Sequence, residues 1–227
     1  MSLTDLWPKL LACRQLDQVD AQLGKALGLD PARHRSAGLV TCDQDDALYV
    51  ALDHCTKFAD VDVTFGQSFY AGSAHASGPL SGEVMGIVAG AHPDHVAEAL
   101  WALKGHLAVV RFQTWAPVGS HPSFLAHVIS ETGRYLAPQA GLTPGAPMAY
   151  LIAPPLEATI AVDAALKTAG VTLAKWLPPP SETNFAGAFL SGELPALEAA
   201  RDAFVAAVHD VARTPLAAAR RPSHQRR

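Results

Sequence analysis

The hydrophobic pattern of the chain occurs twice. Two short apolar segments, 86–90 and 188–192, each end in glycine, and a proline follows three residues later as Pro93 or Pro195. The two terminal glycines lie 102 positions apart in the numbering. Apolar residues then recur at helical spacing after each proline, and proline is favourable in the first turn of a helix. This arrangement predicts a strand, a turn and an amphipathic helix in each copy.

Weaker matches extend the repeat over most of the chain. Ala37-Gly38-Leu39 resembles Ala140-Gly141-Leu142, and Leu48-Tyr49-Val50 resembles Ala149-Tyr150-Leu151. We therefore predict two copies of one α/β unit, joined near 105–107, each with helices packed on a sheet. Each copy is predicted to contain an opening strand (10–14 or 108–115), a helix (19–27 or 123–136) and a strand (47–52 or 148–153). A helix, a strand, a turn-rich loop, the glycine-ended strand and the last helix follow.

The amino-acid composition predicts an apolar surface for subunit contacts. Of the 227 residues, 49% are hydrophobic and only 17% are charged, against a usual share of about 25%. Disorder is excluded for most of the chain, the length favours two domains, and some apolar surface is expected at subunit contacts. The net charge of −4 does not favour a nucleic-acid-binding protein, which normally presents a basic face.

Membrane, secretory and metal signals are weak. No apolar run approaches the roughly 18 residues that span a bilayer, and the first residues lack the pattern of a secretory signal. Cys13, Cys42 and Cys55 form no CxxC pair, so we expect three thiols in a reducing cytosol.

Two irregular stretches precede the last strand of each copy. Residues 66–82 are rich in glycine, serine and alanine, and residues 176–184 contain three consecutive prolines. The first is a candidate mobile loop or an ordinary surface loop, since small residues permit many backbone conformations. The end of the chain, 220–227, is basic, and we expect 216–227 to be a disordered tail.

Acidic residues offer the main candidate chemistry. Asp43, Asp45 and Asp46 lie in one short segment, which is either a polar turn or a place for a cation. Glu83 begins a strand, and Phe112 lies in another. Two carboxylates and an aromatic face would suit a small ammonium ligand, although the pattern alone does not bring them together.

Signatures of an enzyme are poor. No phosphate-binding glycine motif and no zinc HExxH spacing occurs among the ten histidines. A metal-dependent hydrolase that uses Asp43, Asp45, Asp46 and His75 remains an alternative. A soluble sensor of small amines without an assembly role is another.

Longer segments resemble a known family. They include Arg35-Ser36-Ala37-Gly38-Leu39, Asp43-Gln44-Asp45-Asp46, Gly66-Gln67-Ser68-Phe69-Tyr70-Ala71-Gly72-Ser73-Ala74-His75, Gly82-Glu83-Val84, Phe124-Leu125-Ala126-His127-Val128, Met148-Ala149-Tyr150-Leu151, Ala153-Pro154-Pro155-Leu156-Glu157-Ala158-Thr159 and Pro178-Pro179-Pro180-Ser181-Glu182-Thr183-Asn184. Over about 5–215 the chain resembles the EutL-type shell proteins of ethanolamine-utilisation bacterial microcompartments.

The resemblance implies a fold and an assembly. It implies two tandem, circularly permuted microcompartment domains, 1–106 and 107–215, each with an antiparallel-rich sheet flanked by helices in an α/β (α+β) chain. It also implies a non-enzymatic homotrimer that joins other shell proteins in a cytoplasmic microcompartment shell. No cofactor or metal residue is implied for this chain, and neither a nucleic acid nor a membrane is an expected partner.

The resemblance also implies two functional features. The first is an ethanolamine site in a small pore of each subunit, formed by Asp45, Glu83, Phe112 and Thr183. The second is a gated central pore whose loops are the two irregular stretches. The expected gating residues are Gln67, Ser68, Phe69, Tyr70, Ala71, Gly72, Ser73, Ala74, His75, Pro179, Pro180, Ser181, Glu182, Thr183 and Asn184.

Overall fold

Two similar halves make up the part of the chain that the computed structural model describes, residues 2–69, 77–168, 170–179 and 184–217. The first half contains β1 (Leu3–Leu6), β2 (Leu10–Leu16), α1 (Ala21–Ala26), β3 (Ser36–Cys42), α2 (Asp45–Cys55), β4 (Val61–Ser68), β5 (Val84–Gly90) and α3 (Pro93–His106). The second half contains β6 (Phe112–Trp115), β7 (Leu125–Ile129), α4 (Leu136–Gln139), β8 (Met148–Ala153), α5 (Pro155–Thr168), β9 (Thr172–Leu177), β10 (Ala186–Ser191) and α6 (Leu194–Arg213).

Each half contains a four-stranded antiparallel sheet of the same topology. The strand order is β2-β3-β5-β4 in the first sheet and β7-β8-β10-β9 in the second. In both, two strands are followed by a helix, two further strands and a last helix, apart from the short additional helices α1 and α4. The predicted α/β fold with antiparallel sheets and flanking helices is confirmed, as is the repeat of a glycine-ended strand with a proline-started helix.

Three predicted elements are wrong. The segment 47–52 is part of helix α2 rather than a strand. The pattern misled because these residues are buried on every side of the helix and therefore show no helical periodicity. The segment 123–136 contains strand β7 rather than a long helix, and only 112–115 of the predicted strand 108–115 is extended. The matches at 37–39 and 48–50 are therefore misaligned, because β3 corresponds in topology to β8 and α2 to α5.

The predicted junction between the halves is helical. Residues 105–107 form the end of α3 and its C-terminal cap. The first strand of the chain, β1, pairs antiparallel with β6, the first strand of the second half. The largest cluster of buried residues includes Leu52 and Val84 from the first half together with Leu125 and Phe189 from the second. The halves therefore share the largest buried cluster and one small sheet, while a second cluster lies within the second half alone.

Asp53 makes polar contacts between the two halves. Its buried carboxylate, at the end of α2, accepts hydrogen bonds from three backbone N–H groups of the second half. Gly133 N donates to Oδ2 at 2.6 Å, and Leu136 N and Tyr135 N donate to Oδ1 at 2.7 and 3.2 Å. Thr56 Oγ1 also accepts from Arg134 N at 2.9 Å, so two side chains of the first half fix the 133–136 segment of the second.

Three imidazoles lie beside this joint, and we call His54, His106 and His127 the histidine cluster. The rings of His54 and His106 stack at 3.8 Å with 8° between their planes, and His127 of the second half meets His106 edge-on at 6.0 Å. Burial is the main cause that lowers their pKa values to about 4, 3 and 4 respectively. The two neighbouring imidazoles also lower the pKa of His106, and the charge of Lys57 lowers all three pKa values. The cluster is therefore neutral at pH 7.

Among the described residues, no helix is both long enough and apolar enough to cross a bilayer.

Candidate functional site

A cavity of about 290 Å³ lies where the two halves meet, and we call it the acidic pocket. The first half contributes the end of β1, the loop before α2 and the ends of β4 and β5, and the second half contributes residues before and within its strands. The described lining residues are Leu6, Asp43, Gln44, Asp45, Ser68, Glu83, Phe112, Ser123, Asn184 and Phe185. Three of them are carboxylates and none is Lys, Arg or His, so the lining favours a cation.

A tight turn before β5 positions Glu83. Gly82 has a φ of +62°, and a Cβ there would lie 2.3 Å from the carbonyl oxygen of Cys42, so only glycine fits. Beyond this turn, Glu83 N donates to the same Cys42 oxygen at 2.9 Å. This bond fixes Glu83 beside the loop that carries the aspartates.

Asp45 is the most buried carboxylate of the acidic pocket. It is the first residue of α2, where a negative charge interacts favourably with the helix dipole, and its Oδ1 accepts from Asp46 N at 2.8 Å. Burial raises the pKa of Asp45, and the charge of Glu83 raises this pKa further, while hydrogen bonds from Asp46 N and Ser68 lower it. A cation between Asp45 and Glu83 would relieve both the burial and the repulsion.

Phenylalanine side chains form the apolar wall. Phe112 is the first residue of β6 and pairs with Leu6 across the small sheet, so both reach the acidic pocket. The ring of Phe185, directly before β10, lies 5.5 Å from that of Phe112 at an angle of 43°. Aromatic faces attract cations, so this wall complements the carboxylates.

The three aspartates of the 43–46 segment do not converge on one point. Asp43 Oδ1 accepts from Lys9 N at 2.6 Å, whereas Asp46 is buried and accepts a short hydrogen bond from the hydroxyl of Tyr150 in the core. Only Asp43 and Asp45 reach the acidic pocket. The described residues contain no group of three His, Cys, Asp or Glu side chains that would hold a metal ion.

The structure describes three of the four residues predicted for the ethanolamine site. Asp45, Glu83 and Phe112 line one cavity, while Thr183 lies outside the described residues. Sequence reasoning missed Gln44 and Phe185. Gln44 donates from Nε2 to the carbonyl of Leu6 at 2.9 Å, and its buried Oε1 has no hydrogen-bond partner among the described residues. A signal for Gln44 existed, since it lies between the aspartates.

The predicted pore loops start later than expected. Gln67 and Ser68 belong to β4 and pair with Met85 and Val84, so they are strand rather than loop. Trp176 and Leu177 likewise belong to β9. Phe69 is half-exposed, and Asn184 adopts a left-handed φ of +63°. Pro179 is the last described residue before the gap, and the remaining predicted loop residues lie outside the described part: Tyr70, Ala71, Gly72, Ser73, Ala74, His75, Pro180, Ser181, Glu182 and Thr183.

Known proteins share both the sequence and this architecture, although no protein-family model matches the chain. The chain is 47% identical over 209 residues to the bacterial microcompartment shell protein EutL of Escherichia coli K12, covering 92% of this chain and 95% of that protein. The crystal structure of the ethanolamine utilization protein EutL of Leptotrichia buccalis superposes with a TM-score of 0.91 at 46% identity, covering 96% of this chain and 100% of that one. A trimeric bacterial microcompartment shell protein, PduB, has a TM-score of 0.73 at 16% identity over 91% of this chain and 89% of its own, which shows a shared fold. The chain therefore belongs to the EutL family of bacterial microcompartment shell proteins.

Proposed function

We propose that the chain is a tile of an ethanolamine-utilisation microcompartment shell, and that its acidic pocket binds ethanolamine as a protonated amine. The observation that carries the ligand is the acidic pocket itself, in which Asp45 and Glu83 face an aromatic wall. Membership of a family of shell proteins makes the chain a structural protein and not an enzyme. The hydrolase alternative has no support, because the three aspartates diverge.

The surface supports assembly. Large apolar side chains remain exposed, and Trp101 on α3 is 77% exposed. Others are Trp7, Phe58, Val109, Leu156 and Ile160. Exposed apolar side chains of this size are candidates for contacts with other chains where they lie side by side. We propose a homotrimer of two-domain chains (1–106 and 107–215) that tiles with other shell proteins in the cytoplasm, and a closed ring would bury such side chains.

The proposed central pore is lined by the stretches before β5 and β10. Support comes from their composition and from the resemblance to the EutL family. In the trimer these stretches would meet at the axis and open or close the passage for metabolites. A ligand shifts such an equilibrium only by binding one form more tightly, so ethanolamine in the acidic pocket would favour one state of the pore.

The ligand pose follows from the lining. The ammonium group lies between Asp45 and Glu83 and against the ring of Phe112, because charge-assisted hydrogen bonds and a cation–π contact are both available there. The hydroxyl end lies toward Gln44, whose buried Oε1 accepts its hydrogen bond. Thr183 is the fourth proposed contact, on the strength of the resemblance.

Calorimetric titration with ethanolamine tests the site. Glu83→Gln removes one charge from the acidic pocket, and we expect at least a tenfold loss of affinity, since hydrogen bonds to charged groups contribute about 1.5–3 kcal/mol. Glu98→Gln, an exposed carboxylate on α3, is the matched control and should bind like the parent chain. Unchanged affinity in Glu83→Gln would remove the proposed ligand from this pocket.

The acidity of Asp45 gives a second test. Because its pKa is raised, Asp45 takes up a proton more readily than an ordinary aspartate as the pH falls. Ethanolamine affinity should therefore weaken as the pH is lowered, although the ligand stays protonated. Affinity that does not change between neutral and acidic pH would contradict a role for Asp45.

Sedimentation tests the assembly separately. A trimer at micromolar concentration, and sheets in cells that overproduce the chain, are the expected results. A stable monomer without sheets would contradict the tile and leave the soluble amine sensor as the better explanation. The ligand and assembly tests are independent, so one part of the proposal can fail without the other.

A further inference from the structure

Helix α5 has an exposed apolar face at the place where its counterpart, α2, is covered. The two sheets share one topology, so α2 and α5 occupy corresponding places, each directly after the second strand of its sheet in chain order. Within the described part of the chain, α5 packs on α6 and on strands β8 and β10 of its own half. Another face of α5 carries Leu156 and Ile160, whose exposed fractions are 59% and 48%. We call these two residues the α5 patch.

The corresponding face of α2 is buried. Cys42 and Ala153 end equivalent strands and occupy the same register in their sheets. Counting the same number of residues from each strand end aligns Tyr49 of α2 with Ile160 of α5. Tyr49 is only 8% exposed, because the second half covers it, and its ring lies 6.4 Å from that of Tyr135. Ile160, at the equivalent place, stays half-exposed in the single chain.

The second sheet provides most of the cover over α2. Tyr150 and Phe189 pair across β8 and β10, and their rings meet edge-on at 4.6 Å. Both belong to the buried cluster that contains most of α2, and the hydroxyl of Tyr150 donates to Asp46 of that helix. The opposite face of the same sheet packs on α5 and α6. The second sheet therefore lies between its own helices and α2.

The first sheet has an equivalent face that is only partly covered. Leu39 and Ile87 pair across β3 and β5, in the same register that Tyr150 and Phe189 hold in the second sheet. Phe65 of β4 pairs with Ile87 and lies on the same face. Leu39 and Phe65 remain half-buried, at the border of a small cluster near α1. We call Leu39 and Phe65 the first-sheet face.

We propose that the α5 patch of one chain packs on the first-sheet face of a second copy, as α2 packs on the second sheet within one chain. This inference rests on the proposed homotrimer and adds which surfaces meet in it. The contact joins two different surfaces, so it is heterologous, and three copies would close it into a ring. The exposed ion pair of Asp163 and Lys167, farther along α5, would form part of its polar rim.

The proposed contact differs from the contact within the chain at one charged position. The count that aligns α5 with α2 places Ala164 where α2 has Asp53, so this position offers no carboxylate to another copy. Helix α1, the counterpart of α4, is capped instead by its own Asp20, which accepts from Gln22 N at 2.9 Å. The first half therefore satisfies these backbone groups by itself, and separated copies should remain folded.

Sedimentation of the full-length chain tests the α5 patch. Ile160→Asp should weaken subunit association at least tenfold, because its charge would be buried against apolar side chains of the second copy. Ile160 is half-exposed in the single chain, so the variant should keep the circular dichroism spectrum of the parent. Leu216→Asp, at an apolar residue that is 93% exposed beyond the end of α6, is the matched control and should associate like the parent chain.

Covalent cross-linking tests which surfaces meet. A chain with both Ile160→Cys and Phe65→Cys is treated with a short bismaleimide and separated on a denaturing gel. A Cys13→Ser background removes the half-buried native thiol, while Cys42 and Cys55 are buried. Covalent dimers and trimers are expected from the double variant. Each single variant should give monomers, because a heterologous contact does not bring two copies of one surface together.

The outcomes separate this inference from the proposed function. A parent chain that sediments as a monomer would overturn both the homotrimer and the proposed contact. A trimeric parent whose Ile160→Asp variant associates equally well, or a double cysteine variant that gives only monomers, would overturn the contact alone. Covalent dimers from Ile160→Cys by itself would also overturn it, since the α5 patch would then meet its own copy. Loss of sheets without loss of trimers in Ile160→Asp would assign the patch to contacts between tiles and overturn the inference.

Discussion

Removing the Asp53 carboxylate should loosen the 133–136 segment of the second half, which this carboxylate ties to the first half. In Asp53→Ala, the N–H groups of Gly133, Tyr135 and Leu136 lose their acceptor in a buried place. Hydrogen bonds to charged groups are worth about 1.5–3 kcal/mol each, and the three share one side chain, so their contributions do not add fully. We expect a loss of about 3–5 kcal/mol in the free energy of unfolding, the usual cost of breaking a buried charged network.

Urea denaturation at fixed protein concentration measures this loss, because assembly makes stability concentration-dependent. Asp53→Asn is the graded variant, since one oxygen still accepts while the amide group now faces an N–H donor. Its loss should be about half that of Asp53→Ala. Asp163→Ala, an exposed aspartate on α5 whose ion pair with Lys167 is mostly solvated, is the matched control and should change stability by less than about 1 kcal/mol.

Hydrogen exchange locates the damage. In Asp53→Ala the amide of Leu136, which donates at 2.7 Å, should lose protection, whereas the central strand β10 should keep most of its own. If Asp53→Ala costs less than about 1 kcal/mol, or if protection falls equally in β10, the carboxylate is not the link that holds the 133–136 segment.

Three further predictions concern the same core. The histidine cluster is neutral in the folded chain, and its pKa values lie below the usual 6.5. The free energy of unfolding should therefore fall as the pH drops from 7 to 5, by at most about 1.4 kcal/mol per pH unit for each imidazole, and by half that or less where solvent reaches the ring. Urea midpoints that stay flat over this range, or a pH profile that His106→Gln does not flatten, would contradict this prediction. Gly187→Ala should prevent folding, measured as a loss of soluble protein, because the added Cβ would lie 1.9 Å from a carbonyl oxygen of the adjacent strand. Gly105→Ala is the control, since that glycine has open space around it in α3, and it should be neutral or stabilising by up to about 1 kcal/mol. Tyr150→Phe should cost about 1–3 kcal/mol in urea denaturation, since the buried carboxylate of Asp46 loses a donor, and a smaller cost would mean that another donor replaces it.

Glycine and proline at element boundaries explain which strands and helices the sequence predicts well. The strand β5 and the helix α3 are marked by Gly90 and Pro93, and the same pair of signals marks β10 and α6. These signals act within a few residues and do not depend on the rest of the fold. Their positions were therefore readable from the sequence alone.

Helix α2 shows why other elements were misassigned. Its residues from Ala47 to Leu52 are almost completely buried, because α2 packs between its own sheet and the second half. A helix buried on all sides has no polar face, so its apolar run looks like that of a buried strand. The opposite error occurs at β7, which was predicted as a helix. Its extended form depends on pairing with β8, a tertiary contact that the local sequence does not show.

The acidic pocket shows how far residue chemistry extends without a structure. Asp45 and Glu83 suggested an ammonium ligand by type alone, but two long-range features bring them to Phe112. One is the turn at Gly82, which fixes Glu83 against Cys42, and the other is the pairing of β1 with β6. Neither feature leaves a periodic signal in the sequence, so the convergence was not predictable from pattern.

The position of the acidic pocket between the halves has an energetic consequence. Asp45 and Glu83 belong to the first half and Phe112 and Phe185 to the second, so a bound cation contacts both. Any ligand that requires both walls binds only the folded chain in which the halves are packed together, and by linkage it stabilises that state by about 2.7 kcal/mol at a hundred times its dissociation constant.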